Sequence, residues 1–255
     1  MVDIKSAREI DLMREACRIT RITHEELAKA LKPGITTYEL DKLAEEVIRS
    51  NGGIPAQKNY PSGMPGVPAF PATICVSIND EVIHGIPSKK TYIKDGDVVS
   101  FDLVVEKNGF HGDAARTYIV GKSDNETKRL VEITKLAFFE GIKQAIPGNR
   151  IGDISSAIGE FVKENGFSVV REFQGHGIGR QMHEEPGIPN YGKPGRGIKL
   201  EPGMTLAVEP MVIAGRPDIL ELEDGWTIIT EDGTNSAHYE NTILITEKGP
   251  EVLTL

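Results

Sequence analysis

Cysteine is scarce in this sequence: Cys17 and Cys75 are the only two in 255 residues, which excludes a disulfide framework and points to a reducing compartment. No stretch approaches the roughly 18 uninterrupted apolar residues of a membrane span. Asp3, Lys5, Arg8 and Glu9 put charges where a signal peptide would be apolar. Basic residues are outnumbered, 29 Lys and Arg against 38 Asp and Glu, for a net charge of −9, so the basic footprint of nucleic-acid binding is missing. These absences describe a soluble cytoplasmic protein with neither membrane nor nucleic acid as partner. Several catalytic fingerprints are missing as well. Gly175-His176-Gly177-Ile178-Gly179 lacks dinucleotide spacing, Arg116 stands where a P-loop ending in Gly121-Lys122-Ser123 needs its first glycine, and Gly187 stands where a zincin ending from His183-Glu184 needs its second histidine. No Gly-x-Ser-x-Gly elbow occurs.

What the chain does contain is an echo of itself. Pro33-Gly34 and Pro147-Gly148 each precede an amphipathic helical pattern that stops at Asn-Gly, at Asn51-Gly52 and Asn165-Gly166. Leu40 matches Ile154, and Ile48 matches Val162. Thr36 or Thr37 is placed to cap the first helix, and Asp153 lies near the start of the second. His84-Gly85-Ile86-Pro87 matches His183-Glu184-Glu185-Pro186. Two short apolar strands end in acids, Val98–Asp102 after Asp95-Gly96 and Met204–Glu209 after Pro202-Gly203. Asp113 and Glu240 each open a β-branched strand. The pattern predicts one domain over 1–255, of α/β (α+β) class, with duplicated halves of about 12–125 and 126–250. The halves share a central antiparallel sheet with helices on its outer face. Residues before about 12 read as a lead-in to the first helix.

Four acids, Asp102, Asp113, Glu209 and Glu240, thus fall on equivalent places. The runs before Asp102 and Glu209 read as buried, and a buried carboxylate is costly unless it is paired or binds metal. Four converging near a pseudo-two-fold axis repel one another, and divalent cations are the natural remedy, since carboxylate oxygens suit Mn, Fe, Co or Zn. Two such ions make a hydrolytic centre. His176 sits between the acids in a glycine-rich turn that lets the backbone come close and the imidazole reach inward.

Asp102 and Asp113, His176 in Gly-His-Gly-Ile-Gly, Glu209-Pro210-Met211, and Glu240 after Ala237-His238-Tyr239 together resemble the methionine aminopeptidases of the simplest, type I form. The resemblance runs from about Ile4 to Thr246. It implies the pita-bread fold and removal of an N-terminal methionine when the second residue is small. It further implies that Asp113 and Glu240 bridge two divalent ions, that Asp102 chelates one, and that His176 and Glu209 complete the other. Glu209 is then the proton shuttle, His183 steadies the carbonyl oxygen, and His84 contacts the substrate near the scissile amide. Val67, Phe70, Cys75, Met182 and Trp226 match the family's methionine pocket, with Val67 and Met182 in place of aromatics; Asn79 and Ser236 match a monovalent-cation site. The implied partners are nascent polypeptides beginning with Met, met at the ribosome by a monomer. Two rival readings share these residues. One is a proline-specific aminopeptidase or dipeptidase of the same fold, which ordinarily carries an extra N-terminal domain. The other is a non-catalytic binding homologue, which ordinarily loses metal ligands.

Overall fold

The computed structural model describes residues 2–255. The predicted turns are turns for a backbone reason. Gly34 and Gly148 adopt positive φ (90° and 96°) after Pro33 and Pro147, and Gly96 and Gly203 do the same (94° and 90°) ahead of the apolar strands.

In the first half, α1 (Ala7–Ala30) and α2 (Thr37–Ser50) precede β1 (Ile54–Pro55), β2 (Cys75–Ile78), β3 (Glu81–Ile83), β4 (Val98–Lys107) and β5 (Phe110–Ile119). In the second, α3 (Asn125–Ile142) and α4 (Ile151–Glu164) precede ten strands. These are β6 (Ser168–Val169), β7 (Gln174–Gly177), β8 (Glu184–Pro189), β9 (Thr205–Val208), β10 (Met211–Ile213), β11 (Ile219–Glu221), β12 (Ile228–Thr230), β13 (Ser236–His238), β14 (Glu240–Thr246) and β15 (Gly249–Val252).

The helices start where side chains satisfy their free N–H groups. Ser6 and Glu9 form a capping box on α1, and Thr36 and Glu39 form one on α2. On α4, Asp153 accepts the Arg150 N–H at 2.7 Å. Asn51 and Asn165 end α2 and α4 in the same way. Two expectations need correction. Helix α1 begins at Ala7 and not near residue 12, because the Ser6 cap starts it early. Asp102 does not end its strand, nor does Asp113 begin one: both lie inside a long hairpin. The apolar residues Leu103, Val104 and Val105 prolong β4, and the turn comes only at Asn108-Gly109, both at positive φ (55° and 77°).

The central sheet is antiparallel and runs β1-β4-β5-β14-β9-β7-β8, with β2 also on β4 and β15 also on β14. Strand alternation sorts its two faces. Val99, Phe101, Leu103 and Val105 of β4 join a core with α1 and α2 residues such as Leu27, Leu40 and Ile48. Leu206, Val208, Ile243 and Ile245 join a second core with Leu130, Phe138, Ile154 and Val162 of α3 and α4. Each half therefore covers one sheet face with its own helix pair. The intervening residues point to the other face.

Candidate metal centre

Register brings the acids together. Asp102 of β4 pairs with Ala115 of β5, and Ala115 pairs with Glu240 of β14. Val208 pairs with Asn241, so Glu209 follows directly beside Glu240. One row across four strands thus carries Asp102, Glu240 and Glu209. The adjacent row carries Asp113 and His176. Asp113 is joined to Thr242 through its N–H (3.0 Å), Thr242 pairs with Ala207, and Ala207 pairs with His176. All five sequence-predicted ligands therefore occupy two neighbouring rows on one sheet face, opposite the residues that pack on α2, α3 and α4.

Single ligand atoms of Asp113, His176 and Glu240 lie within 4.8 Å of one another. His176 Nε2 is 3.7 Å from Asp113 Oδ2 and 3.6 Å from Glu209 Oε1. Glycine makes this approach possible: a Cβ on Gly175 would sit 2.4 Å from the Ala207 carbonyl oxygen, and one on Gly177 2.2 Å from that of Glu185. Burial, and then mutual repulsion, pushes Asp113, Glu209 and Glu240 well above the usual carboxylate range. Burial pushes Asp102 up to about 7, against the hydrogen bond that Gln57 Nε2 donates to it at 3.1 Å. Burial, and then nearby His183, lowers His176 to about 3, leaving a neutral imidazole fit to ligate. Asp113 Oδ1 and Glu240 Oε1 are buried without a hydrogen-bond partner. Behind the sheet, the Arg116 guanidinium stacks on Tyr239 at 4.6 Å and donates to the Glu240 carbonyl, which fixes the start of β14.

These groups floor a cavity of about 590 Å³. His84 and His183 line it, as do Phe70, Cys75, Met182 and Trp226. His84 holds a left-handed backbone (φ 59°) that Gly85 makes possible, since a Cβ there would lie 2.3 Å from the Val76 carbonyl oxygen. Burial lowers His84 to about 4. Phe70 meets Trp226 edge-on at 5.2 Å, and the Trp226 indole N–H donates to the Pro68 carbonyl at 2.9 Å. Val67 is not among the lining residues: it lies half-buried at the back of the Trp226 turn, where its methyls would meet a Cβ on Gly225. The aromatic at the wall is Tyr60, whose hydroxyl is 2.7 Å from His183 Nδ1. Sequence reasoning missed Tyr60, Gln57, Phe173 and His238, which all line the cavity. Tyr60, the aromatic that opens the Pro- and Gly-rich loop before Phe70, was the readable signal among them. Away from the cavity, Asn79 and Ser236 meet: the Asn79 carbonyl accepts from the Ser236 N–H (2.8 Å) and hydroxyl (3.2 Å).

Metallopeptidase family M24 matches residues 11–247. A methionine aminopeptidase of Clostridium perfringens is 51% identical over all of this chain and 99% of its own length. The crystal structure of methionine aminopeptidase from Thermotoga maritima superposes with a TM-score of 0.96 at 44% identity, over 100% of this chain and 99% of that one. Prolidase from Pyrococcus furiosus shares the fold at a TM-score of 0.78 and 25% identity, but only 65% of that chain is covered. The pita-bread architecture and divalent-metal use follow from these matches, and the proline-directed reading is not favoured. The chain belongs to metallopeptidase family M24, among the methionine aminopeptidases.

Proposed function

We propose that this chain removes the N-terminal methionine from polypeptides whose second residue is small, using two divalent ions. The observation that carries the reading is the unbalanced charge on the sheet: two buried carboxylates, two half-buried ones and a neutral imidazole share two rows, with two carboxylate oxygens lacking any partner. Such a set is costly as it stands and suits divalent cations with mixed N/O ligands. Asp102, Asp113, His176, Glu209 and Glu240 would hold the ions, with Asp113 and Glu240 placed to be shared between them, Asp102 to serve one, and His176 with Glu209 the other. Divalent ions held there supply an acidic bound water and polarise the scissile carbonyl. The donor set fits Mn, Fe, Co or Zn.

The chain's own residues do the rest. Glu209 accepts the proton of the attacking water and passes it to the leaving amine. His183 donates from Nε2 to the carbonyl oxygen as negative charge develops. Tyr60 supports that donor: with its hydroxyl donating to Nδ1, 2.7 Å away, the proton of the neutral ring sits on Nε2. His84 contacts the substrate beside the scissile amide. Phe70, Cys75, Met182 and Trp226 hold the methionine side chain in an apolar slot. Carbonyls of Asn79 and Ser236 are candidates for a monovalent cation. The proposal covers 1–255 as one catalytic domain with halves of about 12–125 and 126–250, a monomer acting in the cytoplasm on chains leaving the ribosome. No helix among the described residues is long and apolar enough to cross a membrane.

The test is a set of Met-X-Ser tripeptides compared by kcat/KM with Mn, Fe, Co and Zn. Gly, Ala and Ser at X should be cut and Leu, Lys and Glu should not. Norleucine in place of Met should survive, because such a change alters discrimination by only about 1–3 kcal/mol. Equal cutting of Met-Ala and Met-Lys peptides, or a demand for Pro at X, would reject the assignment.

A further inference from the structure

His238 has no part in the five-ligand set, yet it is 2% exposed and lines the same cavity. Its backbone is pinned from two sides. The His238 N–H donates to Thr117 Oγ1 at 2.9 Å, and that hydroxyl lies 2.8 Å from the His238 carbonyl oxygen. Across β13 and β10, His238 pairs with Met211, two residues beyond Glu209. The ring is therefore aimed, and its Nε2 is a buried polar atom with no hydrogen-bond partner. Its nearest charged neighbour is Glu209 Oε2, at 3.7 Å. The other oxygen of Glu209, Oε1, faces His176 Nε2 at 3.6 Å, and the Glu209 backbone carbonyl is held by Asn190 Nδ2 at 2.9 Å. Glu209 is thus bracketed: an imidazole stands beside each oxygen.

We propose that His238 is a positioning residue for the reaction, donating from Nε2 to Glu209 Oε2 and so fixing the plane in which that carboxylate handles its proton. The inference rests on the proposed role of Glu209. An imidazole carries at least one ring N–H to donate, which is all this role requires. A ring 3.7 Å away needs only a small side-chain adjustment to reach hydrogen-bond distance. Without that donor the Glu209 carboxylate is held on one side only, which lowers the fraction of time it is aligned for proton transfer and slows turnover more than it weakens substrate binding.

The test compares wild type with His238→Leu, His238→Asn and His238→Gln on Met-Ala-Ser, with calorimetric titration of Mn into each metal-stripped protein. Leu lacks a donor, Asn is too short, and Gln places an amide N–H at comparable reach. Leu and Asn should each lower kcat on the order of tenfold, the scale of one hydrogen bond to a charged group, with KM within about twofold and Mn affinity unchanged. Gln should restore most of the loss. If Leu does not fold, Asn alone must show the loss. Normal kcat in the Asn variant, a Gln variant as slow as Asn, or a fall in Mn affinity that tracks kcat overturns the proposal. Failure of wild type to cleave Met-Ala-Ser would instead reject the functional reading on which it rests.

Discussion

Stripping the metals should reverse the way this protein's stability depends on pH. In the metal-free fold, Asp113, Glu209 and Glu240 are held well above the ordinary carboxylate range by burial and mutual repulsion, and Asp102 at about 7 by burial. Unfolded, all four ionise near pH 4. Above about pH 5 the folded state therefore binds more protons than the unfolded one, and stability falls as pH rises. Buried histidines act the other way. His24, His176 and His238 sit near 3 and His84 near 4, so the unfolded chain takes up protons below about 6.5 while the fold does not, and stability falls as pH drops. Above about 6.5 the histidines are neutral in both states and only the carboxylates count. Each proton retained there costs about 1.4 kcal/mol per pH unit. For a chain of this size that is roughly 3–6 °C in Tm per unit for a single proton. With metal bound the carboxylates are ionised throughout, and this slope should vanish. Glu81, pushed up to about 7 by burial, titrates in both forms and cancels in the difference. The assay is scanning calorimetry of EDTA-stripped and Mn-saturated protein from pH 5.5 to 8.5. The stripped protein should already be losing stability by about pH 6.5, because the acids retain protons from about pH 5 upward, and should fall further below the loaded one as pH rises. Parallel curves above that pH would show that the four acids are not buried together in the metal-free fold.

Three substitutions probe the centre separately. Asp113→Ala should abolish cleavage and lower the metal retained after dialysis, measured by atomic emission; full metal content would remove Asp113 from the bridging position. Glu209→Gln at saturating Mn should slow kcat by on the order of 10²–10⁴, the usual worth of a general base, and near-normal turnover would exclude it as the shuttle. Tyr60→Phe deletes one hydrogen bond, so kcat should fall roughly two- to tenfold with KM little changed; a rise in KM alone would make Tyr60 a pocket wall and no more.

Much of this site was legible in the chain because antiparallel pairing converts sequence pattern into position. The repeated Pro-Gly turns, the Asn-Gly helix stops and the acids beside apolar runs survive as the α2 and α4 caps and as two rows on one sheet face. Strand limits were less legible. An acid in an apolar run reads as its end, yet in β4 the pattern resumes at Leu103 and only Asn108-Gly109 turns the chain. Which residue between Tyr60 and Phe70 faces the cavity was not legible: the resemblance points to Val67, which is not among the lining residues, and that Pro- and Gly-rich stretch has no periodicity to decide it. That choice is tertiary, set by the Trp226 hydrogen bond to Pro68 and by the Tyr60 contact with His183. His238 stands in the Ala237-His238-Tyr239 motif before Glu240, but only the pairing of β13 with β10 turns it toward Glu209.

The pseudo-two-fold frame also explains why the centre is not symmetric. Cys75 and Ser77 of β2 pair with Asp102 and Ser100 of β4. In the other half His176 of β7 pairs with Ala207, two residues before Glu209. Ser77 thus occupies the place that His176 holds across the axis. A hydroxyl there does not ligate; it accepts the Gly85 N–H at 3.1 Å and shapes the turn that carries His84. The same spacing separates Cys75 from His84 as Gln174 from His183, so both halves deliver an imidazole to the cavity rim. Only His183 has its Nδ1 taken by Tyr60; His84 meets Phe173 and Trp226 by ring edges alone. On the proposed reading, duplication would account for the paired acids, which two ions would need alike. On the same reading, the single His-for-Ser difference would give one ion a nitrogen ligand, and the single Tyr60 hydroxyl would make one rim histidine the fixed donor. Those two departures give a symmetric frame a direction, so a peptide bond held in it has one end to attack and one end to leave.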